Sequence, residues 1–208
     1  IKPNYAEAFN NLGIAFDKLN KMDEAIYNYK KAINLKKDFS IAYNNLGNAL
    51  LHTQKITESV QCYKEATNIN SNYHEAYNGL GDAYRILGDK KNAIKNFEKA
   101  TKINPNYAEA YNNLGMILYE TSMFYEALIC YKKALRINPN DEKYHNNLGN
   151  LLSNLGKYDE ASKSFNKAIE IKPEFAKAYS NLLLNLNYKL NLDFKLYQSI
   201  SKKFRFNC

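Results

Sequence analysis

The side chains of this sequence that could carry out chemistry are few and scattered. The three histidines are His52, His74 and His145, and the three cysteines are Cys62, Cys130 and Cys208. No HExxH motif, glycine-rich phosphate loop, GxSxG motif or CxxC pair occurs in the sequence. The acidic residues have lysine neighbours at helical spacing, a pattern typical of solvated helix surfaces. The sequence therefore predicts no catalytic activity, metal site or cofactor for this chain.

The polar residues that do recur are amides. Asparagine occupies one register of a 34-residue period at Asn11, Asn45, Asn113, Asn147 and Asn181, and Gly79 stands in that register in between. A carboxamide offers both hydrogen-bond donors and an acceptor. A row of carboxamides could therefore hold the backbone of an extended peptide, with a weaker grip at Gly79. Asn44, Asn48, Asn78, Asp82, Asn112, Asn146 and Asn150 are the predicted neighbours in the same groove. The alternative is that the adjacent asparagines only hydrogen-bond within the fold.

The amides and the packing residues recur with the same period, so both belong to one repeated structural element. Glycine recurs at Gly13, Gly47, Gly81, Gly115 and Gly149, and alanine at Ala32, Ala66, Ala100, Ala134 and Ala168. Within each repeat, apolar residues spaced three and four apart predict two helices. Positions are described below by their place in the repeat, with place one at residues 6, 40, 74, 108, 142 and 176. The amide row then stands at place six, the glycine at place eight, and an aromatic residue at place twenty-four.

These features resemble the tetratricopeptide repeat. The resemblance implies an all-α, right-handed superhelical solenoid of antiparallel helix pairs that binds a protein or extended peptide in a concave groove. The period divides the chain into 1–5 (the end of a preceding repeat), repeats at 6–39, 40–73, 74–107, 108–141 and 142–175, and 176–208 (a partial sixth repeat and a basic helical segment).

A second resemblance concerns the leucine-rich segment near the C-terminus. Leu183 stands at place eight, where the earlier repeats have glycine, and the run that follows includes Leu184, Leu186 and Leu190. The segment resembles the junction between the repeats and the catalytic part of O-linked N-acetylglucosamine transferase-type (SPINDLY-like) glycosyltransferases. It implies that a catalytic domain docks near residues 180–206 and that the place-six amides present substrates to it. The alternative is a stand-alone adaptor that assembles a protein complex.

The distribution of charge and apolar residues along the chain limits the kinds of partner that we expect. The net charge is +8, but residues 176–208 carry six cations against the single carboxylate of Asp193, and the remainder is nearly neutral. Because no repeat carries a continuous basic face, nucleic acid is not expected as the main partner; RNA binding through the tail is the third hypothesis. No apolar run approaches the roughly 18 residues of a membrane-spanning helix. The odd number of cysteines favours an intracellular, cytoplasmic location.

Overall fold

The computed structural model describes residues 5–189 and 201–202, and these residues form α-helices joined by short turns. The first helices of the repeats are α1 (Tyr5–Lys18), α3 (Ser40–His52), α5 (His74–Ile86), α7 (Ala108–Glu120), α9 (Glu142–Asn154) and α11 (Ala176–Lys189). The second helices are α2 (Met22–Leu35), α4 (Ile56–Ile69), α6 (Lys90–Ile103), α8 (Phe124–Ile137) and α10 (Tyr158–Ile171). The predicted all-α class with paired helices is confirmed.

The helices group into two compact units, which are described separately. The first unit covers residues 1–105 with α1 to α6, and the second covers residues 106–208 with α7 to α11. In the first unit each helix packs on the next, and α3 also packs on α1 and α5. In the second unit α9 has the same central position between α7 and α11. The first helices of successive repeats therefore lie side by side within each unit.

The close approach of paired helices depends on the glycine at place eight. A Cβ atom added to Gly81 would lie 2.7 Å from the Phe97 ring, and one added to Gly13 would lie 2.6 Å from the Tyr29 ring. Both aromatic side chains are at most 1% exposed. The ring at place twenty-four thus occupies the space that a side chain at place eight would need, which explains why the two places recur together.

The turn between the paired helices requires a residue in the left-handed helical conformation, with positive φ. Gly88 and Gly156 have φ of +78° and +72°, and Gln54 has φ of +60° at the same place in its repeat. Lys55 N–H then donates to Leu50 O at 2.8 Å, which satisfies one of the last carbonyl groups of the first helix. This turn returns the chain antiparallel.

The second helices end at one place with or without proline. Helix α6 ends two residues before Pro105, while α4 ends two residues before Ser71 in the same register. Both ends are followed by a residue in extended conformation, Asn104 and Asn70. Proline at this place therefore reinforces a helix end whose extended backbone geometry other residues also adopt.

Candidate peptide-binding face

The amides at place five are buried, so the part of the sequence prediction that placed them in the groove is wrong. Asn44, Asn78, Asn112 and Asn146 were predicted as groove neighbours, yet each is at most 6% exposed. They lie on the edge of each first helix that turns toward its neighbour. A side chain three places before the packing glycine lies about 60° from it around the helix, whereas the leucine two places further on lies about 160° away. Place five therefore stands at the edge of the packing face, where the spacing within one helix does not decide burial.

The amides at place six pair with the buried amides of the preceding repeat. Asn45 Nδ2 donates to Asn10 Oδ1 at 3.0 Å in the first unit. In the second unit Asn147 Nδ2 donates to Asn112 Oδ1 at 2.9 Å and Asn181 Nδ2 to Asn146 Oδ1 at 2.8 Å. The donors remain half-buried rather than fully enclosed. Successive first helices are therefore linked by amide pairs that run from one repeat to the next.

Pairing and ligand binding do not exclude each other at place six. A carboxamide has two N–H donors and an oxygen with two acceptor positions, and the inter-repeat bond uses one donor. The bond also fixes the rotamer of the side chain, which lowers the entropy lost when a ligand binds. Asn45 in the first unit, and Asn147 and Asn181 in the second, are thus held in fixed positions on a partly exposed face of their helices. Asn11 is exposed and Asn113 is half-buried in the same register.

The row breaks at Gly79, as the sequence predicted, and the structure gives the cause. A Cβ atom at Gly79 would lie 2.5 Å from Cε1 of Tyr63, whose ring is fully buried against it. Without a place-six amide on α5, the buried Oδ1 of Asn44 has no hydrogen-bond partner. The Tyr63 hydroxyl instead donates to Asn48 Oδ1 at 2.6 Å, on the exposed edge of α3. Next to the gap that Gly79 leaves in the third repeat, the second repeat therefore presents a phenol-supported asparagine, Asn48, at place nine.

The remaining predicted neighbours stand at place nine and are accessible. Asn48 is exposed, and Asp82 and Asn150 are partly exposed. Asp82 forms an ion pair with Arg85 at 2.9 Å, one helical turn further along α5. Place nine thus varies in chemistry from repeat to repeat, whereas place six keeps the amide.

The Tyr and Cys side chains whose pKa values are raised owe that shift mainly to burial. Burial raises the pKa of Tyr73 to about 12, with a smaller contribution from the charge of Glu75. Burial likewise raises the pKa of the Cys62 thiol to about 11, a direction that lowers its reactivity. His145, which stands where the other repeats have an aromatic residue, lies with its Nε2 2.9 Å from the carbonyl oxygen of Pro139. Within residues 5–189 and 201–202 no group of three or more His, Cys, Asp or Glu side chains is arranged to hold a metal ion.

The last described helix contains a buried amide that the sequence analysis missed. Asn185 is 1% exposed, and its Nδ2 donates to Tyr158 O and Ser162 Oγ, both at 2.9 Å. It stands at place ten, where the earlier repeats have alanine, isoleucine or leucine. This exchange of an apolar residue for an amide at a packing place was the available signal. The bonds tie α11 to α10, where Tyr188 also stacks on Tyr158.

Part of the predicted C-terminal segment lies outside the described residues. The structure describes residues 180–189 and 201–202 of the predicted docking segment 180–206, and only residues 201–202 of the basic stretch from 193 to 208. Within the described residues, no helix combines the length and the apolar character needed to cross a bilayer.

Known families and solved structures agree with the repeat assignment. A family described as TPR repeat matches residues 16–54, 47–88 and 81–122, and one described as Tetratricopeptide repeat matches residues 106–174. The chain therefore belongs to the tetratricopeptide-repeat family. Among curated proteins, no significant match was found.

Several solved structures share the fold over most of this chain. YrrB, described as a TPR protein with an unusual peptide-binding site, is 27% identical to this chain, with a TM-score of 0.68. The match covers 86% of this chain and 91% of YrrB. MamA is 26% identical with a TM-score of 0.69, covering 80% of this chain and 97% of its own. The pilF protein of Pseudomonas aeruginosa has a TM-score of 0.83 at 15% identity, covering 96% of this chain and 88% of its own, a likeness of fold alone. As a tetratricopeptide-repeat protein, the chain is a protein-interaction scaffold.

Proposed function

We propose that this chain holds extended peptide segments along its first helices through the amides at place six. The observation that carries the proposal is the set of inter-repeat amide pairs, Asn45 on Asn10, Asn147 on Asn112 and Asn181 on Asn146. Within each unit they hold a partly exposed carboxamide in place on each donor helix, and a carboxamide matches the hydrogen-bonding groups of a peptide backbone. Contacts of this kind do not read side chains, so many sequences can bind. The similarity to YrrB, described as a TPR protein with an unusual peptide-binding site, supports the same kind of ligand.

The test is peptide binding by place-six variants measured beside a matched asparagine. Asn147→Ala and Asn181→Ala should lower the affinity for unstructured peptides, measured by fluorescence anisotropy well below the melting temperature. Asn166→Ala, an exposed asparagine on the second helix α10, is the control and should leave affinity unchanged. If the place-six variants bind peptides as the wild type does, the amides only hold the repeats together and the proposal fails.

The number of different peptides that the chain binds distinguishes a substrate-presenting region from a stand-alone adaptor. A substrate-presenting region binds many unrelated peptides weakly, whereas a stand-alone adaptor binds one partner tightly. A peptide array probed with the labelled chain distinguishes these outcomes. The odd number of cysteines supports an intracellular location for either form.

The glycosyltransferase connection is a separate part of the proposal and rests on residues near 180–206. The described part supports an atypical last repeat, because Leu183 is half-buried at the place where glycine admits the aromatic of a partner helix. Sequencing the coding region beyond Cys208 tests it. A stop codon or an unrelated domain there would remove the glycosyltransferase link and leave the adaptor.

A further inference from the structure

The first unit contains a second concave surface, on the side of α5 away from its place-six register. A cleft of about 580 Å³ lies between α4 and α6 and has α5 as its floor. The floor consists of Tyr77, Leu80 and Tyr84, and Thr67 of α4 contributes to one wall. At about 100° per residue, places four and eleven stand roughly 140–160° around the helix from place six. The cleft is therefore separate from the proposed amide row.

The other wall of the cleft is a stripe of lysines. Lys95, Lys99 and Lys102 line the cleft from α6, and all three are exposed. Glu98 is the acidic residue of the lining. The stripe spans seven residues, about 10 Å along the helix. Three cations beside one carboxylate give this wall a net positive charge.

The repeat provides an internal comparison, and the lysine stripe is particular to α6. Places twenty-two, twenty-six and twenty-nine are Lys95, Lys99 and Lys102 in the third repeat; the second repeat has Gln61, Glu65 and Asn68, and the fifth has Lys163, Lys167 and Glu170. The first repeat has Tyr27, Lys31 and Asn34, and the fourth has Ile129, Lys133 and Arg136. Because residues of different charge and polarity occupy these places in the other repeats, the fold itself requires no particular charge there. The need to fold therefore does not explain the three lysines of α6.

Lysine side chains lie over both tyrosine rings of the floor, which disfavours nucleic acid as the ligand. Lys99 Nζ lies 5.9 Å from the ring centroid of Tyr77, and Lys64 Nζ lies 5.8 Å from that of Tyr84. Single-stranded nucleic acid binds by stacking its bases on open aromatic faces. With lysines over both rings, the cleft offers positive charge and apolar contact but little stacking surface. Carboxylates on a polypeptide fit that combination.

We propose that the cleft between α4 and α6 binds an acidic, extended peptide segment with carboxylates at alternate residues. Alternate side chains of an extended chain lie about 6.6 Å apart on one side. The rise from Lys95 to Lys99 along α6 is about 6 Å, so successive carboxylates can meet successive lysines. The backbone of the segment then lies over Tyr77 and Leu80. The surface would give the protein a second partner, held by charge, while the amides at place six remain available.

The experiment uses the full chain and a fluorescent peptide of alternating glutamate and serine, with the glutamine–serine peptide as its uncharged control. The glutamate peptide should bind, and the glutamine peptide should not. Lys95→Gln/Lys99→Gln should weaken binding roughly two- to thirty-fold, the effect of losing two solvent-exposed ion pairs. Lys95→Gln/Lys102→Gln, which keeps the Lys99–Tyr77 contact, should weaken it similarly and excludes a loss caused by the aromatic floor alone.

The matched control is Lys163→Gln/Lys167→Gln, which removes the same charges from the same places of the fifth repeat. It should change the affinity less than twofold. An equal loss in this variant would show that binding follows overall charge and would overturn the site. Tighter binding of a single-stranded oligonucleotide, itself weakened by Lys95→Gln/Lys99→Gln, would overturn the assignment to a peptide.

Discussion

The amide pair between Asn45 and Asn10 predicts a specific loss of stability on mutation. In Asn45→Ala the Oδ1 of Asn10, a residue 4% exposed, loses the donor that lies 3.0 Å away. A buried acceptor left without a partner costs about 1–3 kcal/mol. Alanine is the better helix former by about 0.5 kcal/mol, which offsets part of that cost. The expected net loss is about 0.5–2.5 kcal/mol, measured as a shift of the urea midpoint by far-ultraviolet circular dichroism.

The matched control for this prediction is Asn11→Ala, at the same place in the first repeat. Asn11 is exposed, so its replacement leaves only the gain in helix propensity, about 0.5 kcal/mol. In Asn10→Leu/Asn45→Ala both polar partners are absent, and part of the lost stability should return because no buried acceptor remains. If Asn45→Ala is as stable as Asn11→Ala, the inter-repeat bond contributes nothing and the reasoning about the amide row is refuted.

Three further predictions concern packing, backbone and pH. Gly81→Ala should destabilise the chain by about 1–3 kcal/mol in thermal denaturation, because its Cβ would lie 2.7 Å from the buried Phe97 ring, and an unchanged melt would contradict the packing described. Gln54→Gly should stabilise it by about 1 kcal/mol, since Gln54 has φ of +60°, and a loss of stability would show that the left-handed turn costs glutamine nothing. Burial, with a smaller contribution from a nearby aspartate, raises the pKa of Tyr29 and of Tyr144 from 10.0 to about 12. The stability that these neutral phenols contribute is complete below pH 10 and is lost as the pH rises through about 12. Circular dichroism should therefore show alkaline unfolding between pH 10 and about 12. A urea midpoint that does not change between these two pH values would contradict the prediction.

The helices and their pairing could be predicted because both depend on local sequence and on one period. Gly81 and Phe97 recur together in every complete repeat as glycine and aromatic, so the sequence marks both as packing residues, and the structure shows that they touch. The three-and-four spacing of apolar residues defines the buried stripe of each helix. The break in the amide row at Gly79 was visible for the same reason, as a departure from a register.

The accessibility of neighbouring amides could not be predicted in the same way. Asn44 and Asn45 are adjacent in sequence and identical in type, yet one is buried and the other is partly exposed. They stand about 100° apart at the edge of the apolar stripe. Which of them is covered depends on how closely the next first helix packs, a quantity that no local pattern contains.

By itself, the sequence determined the repeat, the two helices of each repeat, the glycine–aromatic packing and the register of the recurring amides. Only the tertiary structure decided that Asn45 donates to Asn10, that Gly79 leaves Asn44 Oδ1 without a partner, and that Lys95 and Lys99 line one cleft with Tyr77. The physical reason is one of range. Periodicity reports which residues face the interior of their own helix, whereas hydrogen-bond pairing and surface charge depend on distances between helices some 30 residues apart.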